Sequence, residues 1–197
     1  MLCVTRQITA KPDALRSYKS KQSTQENYDC QIWEAASATS ATPIYFKRVK
    51  FSKTGEKWVD GGLKRNNPIF EAVAEVQNEP AFKDYEIGCI VSIGTGVPDI
   101  SGVPSHVLGL LAKAVSMMTD SEEIADNFAK GETGQRLAKA NAYFRFNVPQ
   151  GMQQLKMDDW KETEKMRALT TDYLSKVGSG REVERCAASL LNPDQNS

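Results

Sequence analysis

The sequence predicts an α/β protein. Apolar and β-leaning segments alternate with helical ones along the chain. A continuous apolar run within Tyr85–Ile93 (IGCIVSI) ends in Gly94-Thr95-Gly96, the pattern of a strand buried on both faces of a parallel sheet. The last third reads as helical, with Met166, Leu169, Tyr173 and Val177 spaced by threes and fours on one apolar face.

Taken in order, Leu2, Val4 and Ile8 mark a first strand within residues 1–9. Residues 10–28 are polar and read as a surface loop. A helix is expected from Asp29, as N-cap, to Thr42, ended by Pro43. Its centre, Ala35–Ala41 (AASATSA), holds only small residues, which allow close backbone packing. Two strands follow, Ile44–Phe51 and Lys57–Val59, joined by a turn at Thr54-Gly55. After Asp60-Gly61-Gly62, Asn67 is expected to cap a helix that begins with Pro68 and runs to Gln77. Further helices are expected at 105–118 and 121–139 and a strand at Ala142–Val148. Ser179 is expected to cap a final helix through Leu191, before a frayed NPDQNS tail.

Composition narrows the function. The chain has 197 residues, 40% of them apolar, with 25 basic and 25 acidic side chains and no net charge. A dedicated nucleic-acid binder would carry a basic excess. A single histidine, His106, excludes His-rich metal sites and reads as a surface or capping residue. No metal and no cofactor are implied. Cys3, Cys30, Cys89 and Cys186 have no C-x-x-C spacing and read as reduced thiols of an intracellular protein. The longest apolar stretch, His106–Met118, contains Lys113 and falls short of the roughly 20 residues of a membrane span. A soluble, cytoplasmic chain is expected, with a peripheral membrane contact left open.

Three short motifs bear on chemistry. Asp60-Gly61-Gly62 follows a strand. It is either a turn or a carboxylate placed by two unshielded residues to act as a general base. Ser92-Ile93-Gly94-Thr95-Gly96 is a tight turn at a strand end, or less specifically a phosphate cradle, although it fits neither Gly-rich nucleotide fingerprint. The nucleophile elbow G-x-S-x-G does not occur: its outer positions are Ile90 and Gly94 around Ser92, and Val177 and Arg181 around Ser179.

The ordered series I-W-E-A-A-S-A-T-S-A-T-P-I-Y-F, K-W-V-D-G-G-L, N-N-P and V-S-I-G-T-G resembles the patatin-like phospholipase family over about residues 1–96. The resemblance implies a three-layer α/β/α sandwich on a mostly parallel sheet, with a helical C-terminal part. It implies residues 1–150 as the C-terminal portion of that catalytic domain and 151–197 as a helical extension packed on it. It implies lipid acyl-ester hydrolysis by a Ser-Asp dyad, with Asp60 as the dyad aspartate and Gly61 and Gly62 in support. Asn66, Asn67 and Pro68 are read as structural. The substrate would be a phospholipid or another acyl-ester lipid, met at a membrane surface. The sequence lacks the family's G-x-S-x-G and upstream glycine-rich loop, so the chain is expected to be a piece of a longer parent with fused domains. The alternatives are a non-catalytic lipid-surface or regulatory module, a truncated remnant and, less favoured, a nucleotide-binding protein.

Overall fold

The computed structural model describes residues 1–18, 20, 30–43, 45–97, 121–153, 155 and 159–191. They divide into two compact units, Met1–Tyr85 and Glu86–Ser197.

The first unit is built on a four-stranded sheet. Its strands are β1 (Leu2–Arg6), β2 (Pro12–Leu15), β3 (Val49–Lys50) and β4 (Lys57–Asp60), in the order β2-β1-β4-β3. Every pairing in it is antiparallel, which departs from the mostly parallel sheet expected from the sequence. The stretch from residue 10, expected as loop, contains β2. A hairpin closed by Arg6 N–H to the Lys11 carbonyl (2.9 Å), with Ala10 at φ 51°, brings it back along β1. Main-chain pairing needs no apolar alternation in the added strand, and Pro12 stands at its first residue, where a missing N–H does least harm.

Helix α1 (Ile32–Thr39) covers one face of this sheet. Ala38 is fully buried with Val4, Leu15, Phe51 and Trp58. Phe51 and Trp58 sit with ring centroids 5.4 Å apart. The small centre of the helix therefore packs tightly, as its composition suggests. The expected N-cap, Asp29, lies outside the described residues, as does Ile44. The observed cap is Gln31, in a reciprocal capping box with Glu34.

Glu34 is buried, 1% exposed, yet fully satisfied. Its carboxylate accepts the Gln31 N–H (2.8 Å), the Ser52 N–H (2.7 Å) and the Ser52 hydroxyl (2.6 Å). These bonds, the Ser52 hydroxyl first among them, hold its pKa below the ordinary glutamate value of 4.5. One side chain thus caps α1 and pins the turn between β3 and β4, where Gly55 takes φ 71°.

Two short helical elements follow β4: α2 (Gly62–Arg65) and α3 (Ile69–Asn78). The sequence did not suggest α2. The expected cap, Asn67, is buried one residue too early, and Pro68 itself occupies the cap position of α3. Ile69 and Val73 form the buried face of α3. Beside it, Glu75 ties the helix to the end of β2. Arg16 donates to it through two nitrogens, with Nη2 to Oε2 at 2.6 Å, and the Tyr18 hydroxyl donates at 2.6 Å. Burial, with the neighbouring carboxylate, pushes the Tyr18 hydroxyl up to about 12.

The second unit holds a two-stranded parallel sheet, β5 (Ile90–Ile93) beside β6 (Tyr143–Phe146). Burial on both faces of β5 is not what the structure has: Ile93 is 76% exposed and only alternate residues are half-buried. The helical region expected at 121–139 is two helices, α4 at 121–130 and α5 (Glu132–Lys139), separated at Gly131. A Cβ on Gly134 would lie 1.9 Å from the Phe128 carbonyl oxygen, so α5 packs its backbone directly on the end of α4. Asn141 at φ 54° ends α5 in a Schellman arrangement, with Ala142 N–H to the Leu137 carbonyl at 2.7 Å and Asn141 N–H to Ala138 at 3.1 Å. Phe128, Leu137, Ala142, Phe144 and Cys186 form its buried core.

The C-terminal helices are α6 (Thr163–Ser175) and α7 (Val177–Leu191). Met166, Leu169 and Tyr173 share a half-buried face of α6, but Val177 is exposed and opens α7. Ser179 is inside α7 rather than its cap, because the chain bends at Lys176. The helix expected at 105–118, His106 within it, and the NPDQNS tail lie outside the described residues.

Glu34→Gln should lower Tm by several degrees, since the amide cannot accept three donors as the carboxylate does. The stability that Glu34 contributes follows its lowered pKa. It is present above the ordinary glutamate value and is lost as pH falls through the lower folded value. A thermal melt series from neutral to acid pH checks this, and identical pH dependence in wild type and Glu34→Gln would refute it.

Candidate active site

Asp60 is the last residue of β4 and stands opposite Val4 in the β1–β4 ladder. That pairing puts it on the α1 side of the sheet, where the end of the helix meets it. The Asp60 N–H donates to the Ala41 carbonyl at 3.2 Å. The Thr42 hydroxyl donates to Oδ2, and the Gly62 N–H donates to Oδ1 at 2.7 Å. The second bond closes an Asx turn that leads into α2. Asp60 is half-buried, and each carboxylate oxygen keeps a further acceptor lone pair. The arrangement fixes the carboxylate and leaves it able to accept one more proton donor.

Gly61 is where the chain crosses β1. An added Cβ would lie 2.2 Å from the Cys3 carbonyl oxygen and 2.4 Å from its carbon. Its φ is −64°, so the position demands space rather than an unusual backbone. That same Cys3 carbonyl accepts the Thr39 hydroxyl at 2.7 Å. Thr39 and Thr42, three residues apart, therefore hold β1 and Asp60 respectively. A Cβ on Gly62 would meet the Asp60 carboxylate at 3.2 Å. Burial pushes the Cys3 thiol above its ordinary value, while Arg65 beside it pulls the other way. Arg65 is itself held by Glu71 at 2.9 Å.

The structure brings Asp60, Gly61 and Gly62 together with Thr42, Thr39 and Cys3. Sequence reasoning read the threonines only as small residues of a packed helix. The available signal was Thr42 directly before Pro43. A helix cannot continue there, and α1 has already ended at Thr39, so the Thr42 hydroxyl can bond elsewhere.

The second motif, Ser92 to Gly96, is in the second unit. The Ser92 hydroxyl accepts from Arg145 Nη1 at 3.0 Å. Arg145 Nη2 also pairs with Glu122, and the Asn147 amide donates to Glu122 at 2.9 Å. Asn147 in turn accepts the Gly96 N–H at 2.7 Å. Ser92 is thus bound into an ion-paired network that ties the ends of β5 and β6 to α4, the pattern of a structural tie. Among the described residues no group of three or more His, Cys, Asp or Glu side chains could hold a metal ion. Among the same residues, no helix is long and apolar enough to cross a membrane.

The comparisons with known proteins fall on this site. They set the chain beside proteins named as phospholipases or patatin-like proteins. The family model described as patatin-like phospholipase matches residues 5–73, a span that includes both threonines and Asp60. The chain is 30% identical over 202 residues to Patatin-like phospholipase 1 of Plasmodium falciparum, an alignment that covers 90% of this chain and 30% of that protein. It is 28% identical over 202 residues to Calcium-independent phospholipase A2-gamma of Rattus norvegicus, covering 98% of this chain and 24% of that protein. It is also 33% identical over 90 residues to Probable inactive patatin-like protein 9 of Arabidopsis thaliana, covering 42% of this chain and 23% of that protein. The resemblance to the patatin-like phospholipase family stands on these matches. The chain spans less than a third of the length of the first two relatives.

Gly61→Ala should destabilise the chain by about 1–3 kcal/mol or more, because the new methyl must displace the β1 backbone. Gly62→Ala should cost less, because its methyl meets only a side-chain carboxylate. Urea unfolding midpoints compare the two, and an equal loss would show that the Gly61 crossing is not the tighter constraint.

Proposed function

We propose that this chain contributes the aspartate of a Ser-Asp dyad in a lipid acyl hydrolase, with Asp60 as the general base. The observation that carries the reading is the doubly anchored Asp60 carboxylate at the end of β4, inside the segment that matches the patatin-like phospholipase model. In this chemistry Asp60 takes the proton of a serine hydroxyl as the oxygen attacks the acyl carbonyl of a lipid ester. The tetrahedral adduct collapses to an acyl-enzyme, and the alcohol leaves with a proton. Water then attacks the acyl carbonyl as Asp60 takes its proton, the acyl–serine bond breaks, the fatty acid leaves, and the proton passes from Asp60 to the regenerated serine. Thr42 and the Gly62 N–H keep the carboxylate oriented and hydrogen-bonded throughout. Gly61 and Gly62 act in support, one by permitting the crossing over Cys3 and the other by its N–H.

The sequence carries no G-x-S-x-G, so the serine of this reaction is not among these residues in that motif. The reading therefore takes these residues as the C-terminal portion of a patatin-like α/β catalytic domain. Its substrate is a phospholipid or another acyl-ester lipid, met at an intracellular membrane surface.

A second reading is a non-catalytic lipid-surface or regulatory module. The missing elbow favours it, and so does similarity to a relative whose name describes it as inactive.

The test is hydrolysis of a fluorogenic phospholipid by the longest native product that contains these residues. Asp60→Asn should lower the rate by about 10²–10⁴-fold at unchanged Tm. Full activity in a folded Asp60→Asn protein would defeat the dyad reading. No turnover by the native product in any form would favour the module.

A further inference from the structure

The chain as a whole is neutral, but the charge is unevenly distributed. Residues 45–57 hold Lys47, Arg48, Lys50, Lys53 and Lys57 against Glu56, a balance of 5 − 1 = +4. Glu56 is held by Arg6 at 3.1 Å. This stretch contains β3, the edge strand of the sheet, and the start of β4. Lys50 and Lys57 stand directly opposite each other across the β3–β4 pair, and both are exposed. Like charges so placed disfavour the pairing unless an anion lies over them. Immediately before the cations are Tyr45 and Phe46, 43% and 63% exposed. The Phe46 N–H donates to the Thr42 carbonyl at 3.0 Å, which ties this aromatic step to the residue that holds Asp60.

Lysines on an edge strand can serve only to block strand addition, but that role has no use for an exposed Tyr-Phe pair. Packing against another protein surface would bury a run of cations at high cost. A nucleic acid would be met by a chain with a basic excess overall, and this one has none. Aromatic side chains beside clustered lysines match a membrane interface, where rings enter the headgroup region and cations meet lipid phosphates.

We propose that residues 45–57 form a docking surface for an anionic lipid bilayer, with Tyr45 and Phe46 entering the headgroup layer and Lys50 and Lys57 meeting its phosphates. The inference rests on the lipid-hydrolase reading for the role of the bilayer, which is to hold the protein at its substrate. Lys57 is three residues before Asp60 on β4, so the two side chains lie on opposite faces of the sheet, and the tie from this surface to the site is the Phe46–Thr42 main-chain bond.

The test is co-sedimentation of the chain with vesicles of phosphatidylcholine alone, or with about 30% phosphatidylserine. Binding should be at least about tenfold tighter on the anionic vesicles and should weaken as salt rises. The double change Lys50→Glu/Lys57→Glu should remove most of that difference. Lys47→Glu/Arg48→Glu, outside the strands, gives the same readout if the first pair fails to fold. Phe46→Ser should weaken binding and leave its salt dependence in place. Equal binding to both vesicles, or binding unchanged by either charge reversal, overturns the inference. A preference of the same residues for single-stranded RNA over the vesicles overturns it too. Binding is read without turnover, and Asp60→Asn should bind as the wild type does. Hydrolysis lost with binding kept therefore bears on the dyad alone.

Discussion

The Gly61 backbone passes so close to the Cys3 carbonyl that no side chain fits between them, and the site is organised around that contact. The crossing fixes β4 against β1 at the point where β4 ends. It sets where Asp60 stops being a strand residue and becomes the first residue of a turn. The Thr39 hydroxyl on the same Cys3 carbonyl brings the end of α1 to that place, and Thr42 then reaches the carboxylate. Remove the close approach and the helix, the turn and the carboxylate lose their common reference point.

The first unit spends its buried polar groups on such ties. Glu34 joins α1 to the β3–β4 turn, and Glu75 joins α3 to the end of β2 through Arg16 and Tyr18. Both carboxylates are surrounded by donors, which favours their charged form although Glu34 is buried and Glu75 half-buried. Asp60 also accepts two donors, but it remains half-exposed. A carboxylate that is oriented and still reachable suits proton transfer better than one sealed in a core. Ser92 in the second unit shows the opposite case, its hydroxyl drawn into the network of Arg145, Glu122 and Asn147.

Much of the local order could be read in the chain. The small-residue helix, the Thr54-Gly55 turn, the strand before Asp60 and the strand near 142–148 all have strong local signals, although α1 ends at Thr39 rather than at the expected Thr42. The misses are where main-chain partners or side-chain ties decide. β2 is a polar segment that pairs because the hairpin brings it to an open edge. Asn67 is buried, and Pro68 takes the cap position of α3 in its place. Ser179 lies within α7 because the break falls at Lys176. The apolar run through β5 suggested burial on both faces, yet Val91 and Ile93 remain exposed. The parallel order expected for the larger sheet came with the resemblance, and strand direction has no local signature in the residues themselves.

By itself the sequence determined which residues could do chemistry here: one Asp-Gly-Gly after a strand, one histidine, no nucleophile elbow, and a neutral chain with a basic step at 45–57. These follow from residue identity and spacing alone. The tertiary structure decided what the carboxylate touches, that Thr39 at the end of α1 and Thr42 just beyond it hold the site, and that Gly61 is required for space. It also decided that Lys50 and Lys57 face each other on an edge strand. The physical reason is that hydrogen bonds, close backbone contacts and like-charge pairs depend on distances between residues 18 to 58 positions apart or paired across a turn, such as Thr42 with Asp60 and Cys3 with Gly61. Only the register of the β1–β4 and β3–β4 pairs sets those distances.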